Sequence, residues 1–284
     1  QGLMITNHHC SVSQVQQHST VKNNYLKKGF WASNQKEELP NPGMTVSFLV
    51  EVQDVTAQAD SLIRLQKEAG RRFPNMMKVH HTLERQAKKR TGYEAQVHSM
   101  FEGNQYYLFL YETYADVRLV GIPPESTGNF GKETDNWMWP RHTADFAVFR
   151  VYTGPDGKPA DYSPDNIPLK SPNHLKISTE QQNKNDFAMD IGYPGTTKRT
   201  TTSYGIRELE NIRNPISNRF RKKNTQIIRQ TMQTDEAYEL NHYSNFSIAS
   251  NYWKISQGQN RCLKQYGVYE RQVREEKAIA KQLA

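Results

Sequence analysis

The 284-residue chain reads as a mixed β and α protein: a β-rich part over 1–205 that contains a helical excursion, then the opening of a helical domain over 206–284. Three observations predict this. Thr45–Val52 alternates with the two-residue period of a strand, placing Val46, Phe48, Val50 and Val52 on one half-buried face. Ala57–Gly70 and Asn75–Lys89 instead repeat apolar residues at three and four positions. Beyond about residue 205 the helical spacing takes over.

The bulk composition sets limits. Hydrophobic residues make up 36%, mean hydropathy is −0.86, and the aromatic content (15 Tyr, 11 Phe, 4 Trp) argues for packed structure rather than a solvated tail. Apolar runs fall far short of the ~20 residues a membrane span requires. A net charge of +8 and a pI near 9.3 admit nucleic acid, anionic surfaces or acidic ligands as partners without choosing among them. Cys10 and Cys262 are too far apart for a metal knuckle, and two cysteines do not make a disulfide framework. The chain opens as QGLMITNHHC, inside an apolar run with no initiator Met, and closes mid-helix. Both ends are therefore expected to be cut from a longer protein, and no signal peptide is visible.

In order, Gly2–Thr6 predicts a short buried strand ending at His8-His9-Cys10. Gln14–Asn24 is polar, helical or loop. Lys28–Trp31 is an aromatic corner, and Glu38–Gly43 is a turn by its proline and glycine spacing. After the strand at Thr45–Val52, the first helix shows Ala59, Leu62 and Ile63 on one side and stops at Gly70. The second carries Met76, Val79, Leu83 and Ala87, and its basic last turn, Lys88-Lys89-Arg90, suits the helix dipole. Strands return over 94–101 and 106–122 with a Gly103-Asn104 turn between them, and again over Asp145–Tyr152. Pro155–Pro172 is a proline-rich loop, and Phe187–Tyr193 a last apolar strand closed by Gly192-Tyr193-Pro194-Gly195. Asn214-Pro215 predicts a helix start running to about Leu240. Ser247–Leu263 and Tyr269–Ala284 follow as helices.

The stretch that carries chemistry is Thr134–Phe149, TDNWMWPRHTADFAVF. It puts a carboxylate, Asp145, at the head of a strand, after the cluster Asn136-Trp137-Met138-Trp139. His9, at the end of the first strand, supplies an imidazole that a buried acid can hold in one tautomer. Together they are two thirds of a nucleophilic triad. By themselves a His and an Asp are also ordinary hydrogen-bonded structure, and Trp137 and Trp139 ordinary core. The third member is not visible: Ser126, Ser203 and Ser247 all lack the Gly-x-Ser-Gly turn that builds an oxyanion hole.

Thr6-Asn7-His8-His9-Cys10 resembles the strand-end Thr-x-x-His-Cys signature of chymotrypsin-like serine peptidases, and Ala144–Val148 resembles the acid motif of the same clan. The 136 positions between His9 and Asp145 leave room for the helices at 57–89 as an insertion. GLMITNHHC, LKKGFWA, EELPNPGMTVSFLV, TGNFG, TDNWMWPRHTADFAVFRVY, GYPG and SNYWK together resemble the bacterial dipeptidyl-peptidase 7/11 family over nearly the whole chain. Lys132-Glu133 departs mildly from that pattern, which has a small residue and an acid in this loop. The resemblance implies a chymotrypsin-like double β-barrel portion over 1–205 and the start of an inserted helical lid over 206–284. It implies a serine-type dipeptidyl aminopeptidase with His9, not His8, as base and Asp145 as its orienter. Asn136, Trp137 and Asn251 would hold the substrate's free amino terminus, amide oxygens accepting from the ammonium against a dry aromatic wall. It implies oligopeptide substrates, no cofactor, no nucleic acid, a tendency to homodimers, and a periplasmic or cell-surface location in a bacterium. The nucleophilic serine would lie downstream of Ala284, so the 284 residues alone are expected to hydrolyse nothing.

Two rival readings use other residues. His8, His9 and Cys10, with His80, His81 or His142, offer metal-ligand chemistry, although alternation on a strand would let only His8 and Cys10 share an ion. Arg219, Arg221, Lys222 and Lys223 make a basic face over Arg219–Arg229 that suits nucleic acid or another anionic partner, without a recognised nucleic-acid motif.

Overall fold

The computed structural model describes residues 1–189 and 200–283. In chain order it runs β1 (Leu3–Thr6), α1 (His8–His18), α2 (Tyr25–Lys28), β2 (Phe30–Trp31), β3 (Leu39–Pro40) and β4 (Val46–Asp54). Next come α3 (Thr56–Glu68), α4 (Met76–Thr91), β5 (Glu94–Met100), β6 (Gln105–Tyr114) and β7 (Val117–Ile122). Then follow α5 (Glu125–Gly128), α6 (Lys132–Asp135), β8 (Ala147–Thr153) and β9 (Ile167–Pro168). The chain finishes with α7 (Ser203–Glu208), α8 (Asn214–Met232), α9 (Glu236–Gln265) and α10 (Val268–Leu283). The mixed β and α composition is as predicted.

These elements form two compact units. The first holds Gln1–Thr6, Trp31–Gly121 and Val148–Pro172. It contains a sheet in the order β1-β8-β7-β2, with β3 on β7 and β9 on β8, and a second sheet in the order β4-β6-β5. Two helices cover one face of the second sheet: Ala59, Val79, Leu83 and Ala87 pack on Val97, Tyr106, Leu108 and Leu110. In the first sheet Val117, Leu119, Phe149 and Val151 are buried, and beside them lies a charged network. The Arg118 guanidinium donates to both carboxylate oxygens of Asp116, while Glu38 accepts from Arg150 and from the Tyr152 hydroxyl. Burial, reinforced by the Glu38 carboxylate, pushes the Tyr152 phenol up to about 12.

The second unit holds Asn7–Phe30, Ile122–Ala147 and the described residues from Asn173 onward. Its frame is the antiparallel-style helix pair α8 and α9, tied by Ser217 to Ser256 at 3.1 Å and by Asn214 to Gln259 and Asn260. Lys27 of α2 reaches Glu239 at 2.7 Å, and Gln16 of α1 donates to the Asn241 carbonyl, so both short helices dock on α9.

Several local expectations are corrected. His8-His9-Cys10 lies on the first turn of α1, not on a strand, because the chain turns helical one residue past β1. The predicted one-face set of β4 is split. A bulge between Leu49 and Glu51 shifts the register, so Phe48 pairs across from Glu112 and Val52 from Phe109, on opposite faces. Phe48, Leu49, Val50 and Val52 are all exposed rather than half-buried. α8 begins at Asn214 with Pro215 in its first turn, as predicted, but Asn214 does not cap it. A wide turn over Leu209–Arg213 leads continuously from α7 into α8, and such a turn relieves the clash of Pro215 with the carbonyl four residues back. The path predicted to run to Leu240 breaks at Gln233–Asp235, where the Asp235 side chain caps α9 through the Tyr238 N–H. Of the strand predicted at Phe187–Tyr193, residues 187–189 are irregular; the remainder, with Gly192–Gly195, lies outside the described residues.

Candidate active site

All five residues singled out by sequence fall in the second unit and line one cavity of about 620 Å³. His9 sits on the first turn of α1. Helix N-termini leave backbone N–H groups without partners, and α1 has no side-chain cap of its own. Asp145, two residues before β8, fills that role: its Oδ1 accepts from the His9 backbone N–H at 3.0 Å. Its Oδ2 meets His9 Nδ1 at 2.8 Å and also accepts from Asn7 Nδ2 at 3.3 Å. One carboxylate thus holds both the backbone and the ring of His9. With Nδ1–H donated to Asp145, Nε2 is left as the basic nitrogen, pointing away from the acid. The acid is part-exposed, at 28% of its side chain, rather than buried as the triad template suggested, and the His9 ring is 67% exposed.

His8 occupies the opposite environment. It is 1% exposed, and neither ring nitrogen has a hydrogen-bond partner. Burial lowers its pKa; the carboxylates of Asp145 and Glu125 and the nearby Pro123 carbonyl act in the other direction. The ring packs close against Gly128, where a Cβ would come within 2.2 Å of His8 Cδ2. The metal-ligand reading fails geometrically, since residues two apart on a helix do not share a face. Among the described residues no group of three or more His, Cys, Asp or Glu converges on a metal position.

Asn136, Trp137 and Asn251 meet as a second constellation. Trp137 Nε1 donates to Asn251 Oδ1 at 2.7 Å and Asn136 Nδ2 donates to the same oxygen at 3.0 Å. The indole can only donate, which fixes the Asn251 amide with its oxygen inward. Arg141 anchors the segment through the carbonyls of Phe130 and Lys132, and its guanidinium points at Asn136 Oδ1. Trp137 is in the left-handed region at φ 64°, as is Lys132 at φ 46°. Such backbone costs about 1–3 kcal/mol per residue, so the surrounding bonds must hold it. Lys132-Glu133, expected in a loop, begins the single turn of α6.

The sequence reading missed the residues that connect this segment to α9. Tyr243, Ser247 and Asn251 recur every four positions and so present one helix face. Tyr243 donates to Glu125 Oε1 at 2.5 Å, Ser247 to Glu133 Oε1 at 2.8 Å, and Lys254 to the Thr134 carbonyl. Burial together with Glu125 drives the Tyr243 phenol far above its ordinary value. The four-residue spacing back from Asn251 was the signal available in the sequence.

Comparison with known proteins follows the same lines. The peptidase S46 family model matches residues 1–284. An Asp/Glu-specific dipeptidyl-peptidase of Capnocytophaga gingivalis is 40% identical over 270 residues, covering 94% of this chain and 37% of the relative. Dipeptidyl-peptidase 7 of Porphyromonas gingivalis is 40% identical over 285 residues, covering 99% and 39%. The crystal structure of Porphyromonas endodontalis DPP11 in complex with the dipeptide Arg-Asp superimposes with a TM-score of 0.91 at 37% identity, over 99% of this chain and 42% of that one. The chain therefore spans about two fifths of the length of the relatives it matches. The likeness supports the chymotrypsin-like class with helical insertions that the resemblance implied. The chain belongs to the peptidase S46 family.

Proposed function

We propose that these residues supply the base, its orienting acid and the amino-terminus anchor of a serine-type dipeptidyl aminopeptidase. The carrying observation is that the His9–Asp145 pair, at 2.8 Å, faces the same cavity as Asn136, Trp137 and Asn251. In this reading His9 Nε2 takes the proton from a serine hydroxyl as the hydroxyl attacks the peptide carbonyl, then returns it to the leaving amine. Asp145 stabilises the imidazolium formed in between. Recognition of a free ammonium at a fixed distance from the attacking group limits cleavage to the second peptide bond. The relatives' names as dipeptidyl-peptidases, and the dipeptide bound in the Porphyromonas endodontalis structure, support this substrate class.

The nucleophile comes from outside these 284 residues. The described contacts of the His9 ring run to Asp145, while Ser203 is bonded to Glu276 and Ser247 to Glu133. On this reading the chain as given hydrolyses no peptide. A periplasmic or cell-surface location and pairing as a homodimer belong to the same reading; no helix among the described residues is long and apolar enough to cross a membrane. The test is a chromogenic dipeptide assay on the chain and on the longer protein containing it. Turnover by the longer protein alone, abolished by His9→Ala, is expected. Turnover by the 284 residues, or a longer protein indifferent to His9→Ala, refutes the assignment.

A further inference from the structure

We infer that Glu133 is the charged partner of the substrate's amino terminus, an assignment that rests on the amine-anchor reading above. An ammonium taken out of water needs more than neutral amides. Its desolvation is strongly unfavourable unless an opposite charge compensates. Asn136, Trp137 and Asn251 provide orientation but no charge, and the two lone pairs of Asn251 Oδ1 already receive Trp137 Nε1 and Asn136 Nδ2. Within the same cavity the acidic residues are Asp145, engaged by His9, and Glu133.

Glu133 has the features of a site waiting for a cation. It is 6% exposed, and its Oε2 is buried without any hydrogen-bond partner. Ser247 donates to Oε1 and so fixes the carboxylate plane, leaving Oε2 unfilled. No lysine or arginine among the described residues pairs with it. Lys254, close enough to feel its field, directs its Nζ to the Thr134 carbonyl instead. His8, the other buried group here with open acceptor capacity, offers a ring whose burial favours the neutral form, hence no compensating charge. A buried carboxylate with one empty oxygen is costly in the free protein. A primary ammonium supplies both the missing donor and the missing charge. Ser247, one helical turn before Asn251, is then a positioning residue that sets the carboxylate in register with the amide anchor.

The experiment compares binding of a free-amine dipeptide with its N-acetyl and α-hydroxy analogues, by calorimetry on the longer protein with its nucleophile replaced by alanine. Wild type should prefer the free amine by at least about tenfold, the scale of one charge-assisted hydrogen bond. Glu133→Gln should bring that preference close to one, and Glu133→Asp should restore part of it. A discriminating wild type whose Glu133→Gln variant discriminates equally well overturns this assignment alone. A wild type that binds all three alike, or none, overturns the amine-anchor reading and Glu133 with it. Should Glu133→Gln lose its fold by circular dichroism, the wild type still decides: an α-hydroxy analogue bound as tightly as the amine removes any need for a charged partner.

Discussion

The Asp145 carboxylate holds His9 at two points, the ring Nδ1 through Oδ2 at 2.8 Å and the backbone N–H through Oδ1 at 3.0 Å. A helix cap and a tautomer lock are thus the same residue. That coupling makes the two roles separable by substitution.

Asp145→Asn keeps one oxygen for the helix N–H but turns an NH₂ toward the ring. His9 Nδ1 must then accept, and the ring proton moves to Nε2, the wrong tautomer for a base. In the longer protein kcat should fall about 10⁴-fold on the triad template. The melting temperature should stay near wild type, whereas Asp145→Ala should cost about 1 kcal/mol of stability as a lost cap. Histidine ring nitrogen shifts by NMR report the tautomer directly, and an unchanged proton position would refute the lock.

Asn251→Ala removes the oxygen shared by Asn136 Nδ2 and Trp137 Nε1. Trp137 is 54% exposed, so water replaces much of the loss and stability should drop by less than about 1 kcal/mol. KM for free-amine dipeptides should rise about tenfold with kcat less affected. An equal fall in kcat with KM unmoved would place Asn251 in the chemistry instead of the anchor.

Gly128→Ala sets a methyl within 2.2 Å of the His8 ring. The ring is fully enclosed and has nowhere to retreat, so the variant should lose about 1–3 kcal/mol in denaturant unfolding. Pairing it with a smaller residue at position 8 should recover part of the loss.

His8 predicts a pH dependence. Burial holds its folded-state pKa below the unfolded value of 6.5. Above 6.5 both states are neutral and its full contribution is present. As the pH falls below 6.5 the unfolded chain takes up a proton that the folded chain refuses, so stability drops until the folded-state pKa is passed. His8→Phe removes this titration. Melting temperatures at about pH 7.5 and 5.5 should therefore diverge more for wild type than for the variant; parallel slopes would contradict the burial effect.

How much was legible beforehand follows a physical divide. The helices α3 and α4 were readable because Val79, Leu83 and Ala87 pack at a period that only a helix satisfies. The strand β4 was readable in place but not in exposure, since a bulge is a pairing event between Leu49 and Glu51 and the partner strand. The start of α1 at His8 was not readable, because the group that satisfies its N-terminus lies 136 positions away.

Local periodicity and composition by themselves determined the mixed fold, because they depend on neighbours along the chain, while the roles of His9, Asp145 and the Asn136, Trp137 and Asn251 anchor were implied by the resemblance of their motifs to a known family. Tertiary structure decided that Asp145 caps the helix bearing His9, that Tyr243, Ser247 and Asn251 share one face of α9 toward the 125–137 segment, and that Glu133 is buried with an empty oxygen. Those are questions of burial and of where each donor finds an acceptor. They are settled by residues distant in sequence, whose free energy of pairing exists only once water has been excluded between them.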